Sequence, residues 1–358
     1  MAKKIKVGVI GCGGISRGCH LPAYMKMKDI VEVVAFCDII PERARMSAET
    51  YGSGEVFTDY KDVIAIEGLD AIDICTPNYW HAIIAVDALN AGIHVFSEKP
   101  DAVDVEAVLG MQAAAEKNGK TLMVMRNNRY YEGSVFLKNF IREGGAGEIY
   151  AGRCGWQRTR GIPGRGGWFT TKELSGGGPL IDLGVHMIDL AIWLMGNPTP
   201  VAVSGSTYQK FADYKKPGVS VNSKFGDTKE DGTFDVEDLA MGFIKFDNGA
   251  CLTIEFSWAS NVARERRFVE LMGTRAGMVW ENGNKTEIYS EQQGVMVKNL
   301  PELNYVADGH EMNLRHFYDV IGNGAEPDFV PQQGVDMIKI LRAIYESAET
   351  GREVRLDQ

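Results

Sequence analysis

The chain has no run of lysine and arginine, no CxxC pair, and no apolar stretch near the ~20 residues that span a bilayer. Each absence closes a class of function. With no basic run and a formal charge of −10, the 358-residue chain offers no electrostatic footprint for nucleic acid. The six cysteines (Cys12, Cys19, Cys37, Cys75, Cys154, Cys251) are scattered, so their spacing suggests neither a zinc site nor a disulfide framework, and no metal is expected. Those in apolar runs read as small buried hydrophobes in a reducing cytoplasm. The opening MAKKIKVGVIG carries an apolar run of strand length only, shorter than the core of a signal peptide, and no membrane partner is expected. An anionic ligand is still admissible, because backbone amides at a helix N-terminus act locally whatever the net charge.

What is present is an ordinary globular composition, 45% hydrophobic and 24% charged, in a chain long enough for two domains. Residues 1–124 alternate β-branched runs with helical stretches. Lys6–Ile10, Val31–Cys37, Ala71–Cys75, Ile93–Ser97 and Thr121–Met125 read as strands. Ile15–Met27, Pro41–Tyr51, His81–Ala91 and Asp104–Asn118 carry apolar residues at helical spacing. Continuously apolar strands separated by helices predict a doubly wound α/β domain with a parallel sheet. From 125 to 358 the pattern changes. Gly147–Trp156, Val201–Tyr208, Leu239–Phe246, Ala250–Trp258, Phe268–Gly273 and Ala276–Trp280 read as consecutive strands, several joined by tight turns such as Asp247-Asn248-Gly249. With helices over Pro179–Met195 and Pro331–Glu349, this half is an α+β domain on a largely antiparallel, open-faced sheet. Such a face usually needs covering, which predicts a homo-oligomer.

Two loops stand out. Gly161–Gly178 holds seven glycines, Trp168 and Phe169, and is expected to be mobile and able to fold over a site. Lys210–Asp235 is long and polar, a solvated insertion or, less simply, a partner arm.

The first strand runs into Gly11-Cys12-Gly13-Gly14-Ile15-Ser16 and then a helix. A dinucleotide turn needs one glycine for the bend and one for close approach of the backbone to a pyrophosphate, and Gly11 and Gly13 fit. Ser16 stands where a third glycine is usual. Asp38 ends the second strand, where a carboxylate accepts hydrogen bonds from an adenosine ribose and repels a 2′-phosphate. NAD is therefore expected. Arg43, in the next helix, is able to neutralise a phosphate, which leaves NADP as the alternative. The simpler reading of Asp38 is a turn that starts a helix.

With Cys75-Thr76-Pro77-Asn78 and His81 after the fourth strand, and Glu98-Lys99-Pro100 after the fifth, the chain resembles the glucose–fructose oxidoreductase/inositol dehydrogenase (Gfo/Idh/MocA) family. The resemblance covers nearly the whole chain. It implies an N-terminal Rossmann domain, a nicotinamide side lined by Thr76, Pro77, Asn78, His81, Glu98 and Lys99, and a Lys-Pro bond that is commonly cis.

Oxidising an alcohol requires a base for the hydroxyl proton and a cation for the developing alkoxide. In Gly176-Gly177-Gly178-Pro179-Leu180-Ile181-Asp182-Leu183-Gly184-Val185-His186-Met187-Ile188-Asp189, helical spacing puts Asp182, His186 and Asp189 on one stripe, facing a cleft. The plainer alternative is a helical Asp–His pair that only satisfies itself. The segment resembles the family's GGGxxxDxGxHxxD pattern. That resemblance implies that His186 takes or returns the hydroxyl proton, Lys99 stabilises the same oxygen and Asp182 orients the substrate. Arg129 and Tyr130 resemble the family's Arg-aromatic pair leading into the second domain. Arg160 and Trp168 are further candidates for substrate contact, although each arginine alone reads as a surface residue. His20 reads as packing at least as well as catalysis; Trp156, Trp193 and Trp258 read as core, and Asp235-Val236-Glu237-Asp238 resembles a family segment to which no chemistry is assigned.

The expected activity is hydride transfer between NAD and a secondary hydroxyl carbon of a sugar, a glycoside (at C3 of the pyranose) or a cyclitol. Two alternatives stand beside it: a glycosidase that oxidises transiently and then eliminates, and a non-catalytic NAD-binding regulator.

Overall fold

Six strands of the first half lie parallel in the order β3-β2-β1-β4-β5-β6 in the computed structural model, which describes residues 4–52, 54–212, 221–283, 285–303 and 308–356. In chain order the elements are β1 (Ile5–Ile10), α1 (Leu21–Lys26), β2 (Val31–Cys37), α2 (Pro41–Tyr51), β3 (Glu55–Phe57), α3 (Tyr60–Ile64), β4 (Ala71–Ile74), α4 (Tyr79–Asn90), β5 (His94–Ser97), α5 (Val105–Asn118) and β6 (Leu122–Val124). Val7, Val9, Ile72, Ile74, Val95 and Phe96 are fully buried, as strands sandwiched between helices must be. This is the doubly wound order. Its direction of winding reverses beside β1, and ligands of such sheets bind outside the carboxyl ends of the strands at that reversal.

The second sheet has nine strands. After α6 (Glu132–Arg142) come β7 (Ile149–Gln157), α7 (Lys172–Ser175), α8 (Val185–Leu194), β8 (Pro200–Tyr208), β9 (Leu239–Phe246), β10 (Cys251–Ser257), β11 (Arg266–Gly273), β12 (Ala276–Glu281), β13 (Lys285–Gln292) and β14 (Val295–Asn299). The chain ends with α9 (Gly309–Asn323), α10 (Pro331–Thr350) and β15 (Val354–Arg355). The order is β14-β13-β12-β11-β7-β10-β9-β8-β15, antiparallel throughout except for the parallel pair β7 and β10. Strand register puts Met241, Phe243, Thr253, Arg153, Glu270 and Met272 on one face, largely exposed. Ile244, Leu252, Ile254 and Phe256, of the opposite parity, are buried. The sheet is open-faced.

The described chain divides into two units, Met1–Met125 with His310–Ile338, and Arg126–Gly309 with Lys339–Gln358. This differs from a second domain running unbroken from 125 to 358. Phe317 and Tyr318 of α9 are buried in the core of the first unit, where the Phe317 ring meets Phe96 with centroids 5.3 Å apart.

Two expectations are corrected. The glycine-rich stretch Gly161–Gly178 is a packed segment. Bridges Ile162↔Asn222 and Gly166↔Thr233 tie it to the polar segment that follows β8. A Cβ on Gly166 would fall 2.0 Å from the Lys229 carbonyl oxygen, and one on Gly232 1.9 Å from that of Gly166, so these glycines serve close backbone approach. Of the Lys210–Asp235 insertion, residues 213–220 lie outside the described residues. Lys172–Leu194 is, by length and composition alone, apolar enough to cross a membrane, which the sequence reading did not allow; in the fold most of it is buried within the second unit.

Candidate active site

Gly11, at the end of β1, has φ +95°, and a Cβ there would lie 2.5 Å from the Cys75 carbonyl. Only glycine makes that bend. Gly13 is the opposite case: nothing lies within 4 Å of a Cβ built on it, so its backbone is open to approach. Gly14 is exposed and Ile15 half-buried. The chain then enters α1 through one wide π-type turn, Ser16–His20. Ser16 is fully buried, so a small hydroxyl residue satisfies the helix–strand packing usually met by glycine. Its Oγ, and Oγ1 of Thr76 beyond β4, have no hydrogen-bond partner among the described residues. Open backbone and two uncommitted buried hydroxyls at a helix start form a donor set that fits a pyrophosphate.

Asp38 follows β2. Its Oδ2 accepts the Cys12 amide at 2.9 Å and its Oδ1 the Ile40 amide at 2.8 Å. The carboxylate therefore starts the turn into α2 and braces the glycine turn together, and each oxygen keeps a lone pair for a ribose hydroxyl. Arg43 is half-buried in α2. The neighbouring thiols are held protonated: burial pushes Cys12 up to about 11 and Cys37 to about 12.

At the ends of β4 and β5, Thr76, Pro77 and Lys99 are half-buried, and Asn78, His81 and Glu98 are buried. The Lys99–Pro100 peptide is cis. One ring nitrogen of His81 lies 2.8 Å from the Pro100 carbonyl oxygen and the other 2.9 Å from that of Thr76. His81 thus pins the two turns together, and burial pulls its basicity below the ordinary value. Glu98 accepts the Lys99 amide at 3.0 Å through Oε2 and contacts His20 Nε2 at 2.9 Å through Oε1.

In the second unit, Asp182 and His186 are half-buried among buried neighbours. Asp182 lies in a π-type turn, Leu180–Gly184, that runs directly into α8. Trp258 Nε1 donates to Asp182 Oδ2 at 2.9 Å, and the Trp156 ring stands 6.0 Å from that of His186. The start of this helical path is fixed by Glu237. One of its oxygens accepts the Gly178 amide at 2.9 Å, and the other accepts the Leu180 amide at 3.1 Å and the Tyr345 hydroxyl at 2.9 Å. Burial raises the Glu237 carboxyl above its ordinary range, against the pull of these donors.

Asp189 does not share the setting of Asp182 and His186. It is buried and accepts from Arg126 Nε at 2.9 Å, Arg129 Nη2 at 2.6 Å and Arg129 Nε at 2.9 Å. Arg129 is therefore a buried partner of Asp189. Arg160 spends Nη1 on the Thr159 and Ser260 carbonyls and Nη2 on Asn261. Tyr130 and Trp168 are half-buried, with the Trp168 ring stacked on Phe169 at 3.7 Å.

Comparison with known proteins decides the family. Residues 5–126 match the description "Oxidoreductase family, NAD-binding Rossmann fold", and residues 135–279 match "GFO/IDH/MocA C-terminal domain". A D-glucoside 3-dehydrogenase of Escherichia coli is 32% identical over 98% of this chain and 97% of its own length. The chain belongs to the Gfo/Idh/MocA family. A levoglucosan dehydrogenase of Pseudarthrobacter phenanthrenivorans is 28% identical over 80% of the chain and 76% of its own length. The solved structure of a levoglucosan dehydrogenase with NADH and levoglucosan superposes with a TM-score of 0.86 at 24% identity, over 99% of this chain and 100% of the other, and so shares the fold. This Gfo/Idh/MocA chain is an NAD-binding oxidoreductase of a sugar dehydrogenase family.

Three supporting side chains of this family member escaped the sequence reading. Trp258 reads as core and is fully buried, but its bond to Asp182 was not foreseen; Glu237 carried no assigned chemistry; and His20 reads as packing at least as well as catalysis. Only for Glu237 was there a signal, a buried-looking apolar neighbour inside an acidic run at the mouth of a strand.

Proposed function

We propose that the chain oxidises a secondary hydroxyl of a glycoside or free sugar, with C3 of a pyranose as the favoured position. The observation that carries this is the near-full-length similarity to a D-glucoside 3-dehydrogenase, in a chain that retains Lys99, Asp182 and His186. Bound NAD supplies the hydride acceptor. Gly11, Gly13, Gly14, Ile15 and Ser16 hold its pyrophosphate, Asp38 its adenosine ribose, and the Thr76-Pro77-Asn78 and Glu98-Lys99 turns its nicotinamide half. His186 takes the hydroxyl proton, since imidazole is the side chain poised near neutral pH. Lys99 donates to the same oxygen as negative charge develops. Asp182, fixed by the Trp258 indole, orients the hydroxyl, and Tyr130 and Trp168 offer aromatic surface to the sugar ring.

Incubating the purified protein with NAD and a panel of methyl glycosides, free aldoses and inositols tests this reading. Reduced nicotinamide should accumulate with glucosides, and a 3-keto product should be recovered. Release of aglycone without net reduced nicotinamide would move the reaction to elimination, and NAD binding with no turnover of any substrate would make the chain a regulator.

We further propose that a second copy of the chain covers the open sheet face. Met241, Phe243 and Met272 are 44%, 36% and 41% exposed on that face, around a lattice in which Arg153 and Arg266 both bond Glu270. Light scattering should give a multiple of the 39.4 kDa chain mass, and Met272→Glu should lower it; a monomer in the parent protein would end this proposal.

A further inference from the structure

His20 is completely buried, and both of its ring nitrogens face carboxylates. Nδ1 lies 2.8 Å from Asp73 Oδ2 and Nε2 lies 2.9 Å from Glu98 Oε1. A neutral imidazole has one N–H and one lone pair, so it donates to only one of two acceptors. An imidazolium donates to both.

We propose that His20 is a permanent imidazolium and a positioning residue for Lys99, acting by clamping Glu98. Oε1 of Glu98 accepts a hydrogen bond from His20 Nε2–H, and Oε2 accepts the Lys99 amide at 3.0 Å. The carboxylate thereby transmits the fixed position of the ring to the turn that carries the lysine. On the far side, Asp73 Oδ2 accepts the Tyr24 hydroxyl at 2.8 Å, and Tyr24 meets the Tyr318 hydroxyl at 2.9 Å.

Every element packed around the ring contributes a group to this balance. β4 and its end supply Asp73 and Cys75, the latter with its Sγ 3.5 Å from Nδ1. The end of β5 supplies Glu98, α1 supplies Tyr24, and α9 supplies Tyr318 and His310, whose ring lies 6.1 Å away. Burial alone would strip the His20 proton, yet Asp73 and Cys75 hold its affinity well above the ordinary histidine value. Burial would likewise protonate Glu98, yet His20, assisted by His310 and Lys99, holds that carboxyl well below the usual range. Removing the cation leaves two buried carboxylates facing each other, and one of them must take up a proton.

The inference rests on the assignment of Lys99 to the substrate oxygen, and two measurements keep the two apart. In the full-length protein labelled with nitrogen-15 histidine, one residue should show both ring nitrogens protonated from mildly acidic to alkaline pH, and its signals should vanish in His20→Asn. A neutral tautomer there overturns the proposal whatever the catalytic assignment. In steady-state kinetics, His20→Ala should lower kcat by up to about a hundredfold, the scale of a misplaced catalytic group, with KM for NAD nearly unchanged and partial rescue by added imidazole. Loss of thermal stability with kcat intact would make His20 structural only and overturn the proposal. Full activity in Lys99→Met would instead overturn the catalytic assignment, leaving the spectroscopic result to judge the charge on His20.

Discussion

Lys99→Met should bind NAD with near-parent affinity and turn over about a thousandfold more slowly. Methionine keeps the length and apolar bulk of the lysine stem and removes only the ammonium, so the variant isolates charge from packing. The main-chain anchor of the turn survives, because Glu98 holds the backbone amide of residue 99 and not its side chain. The groups assigned to the pyrophosphate and the ribose, from Gly11 to Ser16 and at Asp38, are untouched by the change. What is lost is the donor that meets negative charge as the hydroxyl proton leaves. Positioned donors of this kind are worth about 10²–10³ in kcat, with general-acid assistance of similar size. Calorimetric titration of NAD alongside kcat on the accepted glycoside reads both quantities. Turnover within a few-fold of the parent refutes the assignment. A parallel loss of NAD affinity shows instead that the lysine serves the cofactor.

The first unit was legible because its signals are local. Five of the six parallel strands lie in short, mostly apolar runs, β3 being the one that went unread, and Gly11, Asp38 and the Glu98-Lys99-Pro100 turn fall at strand ends, where backbone geometry restricts the choice of residue. The resemblance to the Gfo/Idh/MocA family rested on the same local strings. What could not be read was pairing across the chain. That Trp258 donates to Asp182, or that His20 bridges Asp73 and Glu98, follows only from the fold, since the partners are 76, 53 and 78 positions apart. The glycines of the loop from Gly161 to Gly178 misled for the same reason. Flexibility and tight backbone approach call for the same residue, and only the opposing chain at Lys229 and Gly232 separates them. β13 and β14 were missed because neither alternates cleanly: β13 buries polar Thr286 and Glu287, and β14 exposes apolar Val295 and Met296. α9 was missed because it buries only a narrow stripe, led by Leu314, Phe317 and Tyr318.

Asp189→Ala should destabilise the second unit by about 3–5 kcal/mol, the cost of removing one partner from a buried ion pair. Helical spacing alone grouped this aspartate with Asp182 and His186, but its surroundings are of a different kind. Its side chain is 6% exposed and those of Arg126 and Arg129 are 2%, and three N–H groups converge on its two oxygens. Truncation leaves both guanidinium groups buried without the carboxylate they share. For a unit of this size the loss amounts to a fall in melting temperature on the order of 10 °C. Asp189→Asn keeps a carbonyl acceptor for one of the N–H groups and should fall between parent and alanine variant. At a temperature where the alanine variant is still folded, kcat should remain within a few-fold of the parent, whereas Asp182→Ala should lose turnover at nearly unchanged melting temperature. The crossed pattern separates the aspartate that holds the helix in place from the one that works at its exposed end. Parent-like stability in Asp189→Ala, coupled with a collapse of kcat, would return Asp189 to the catalytic stripe.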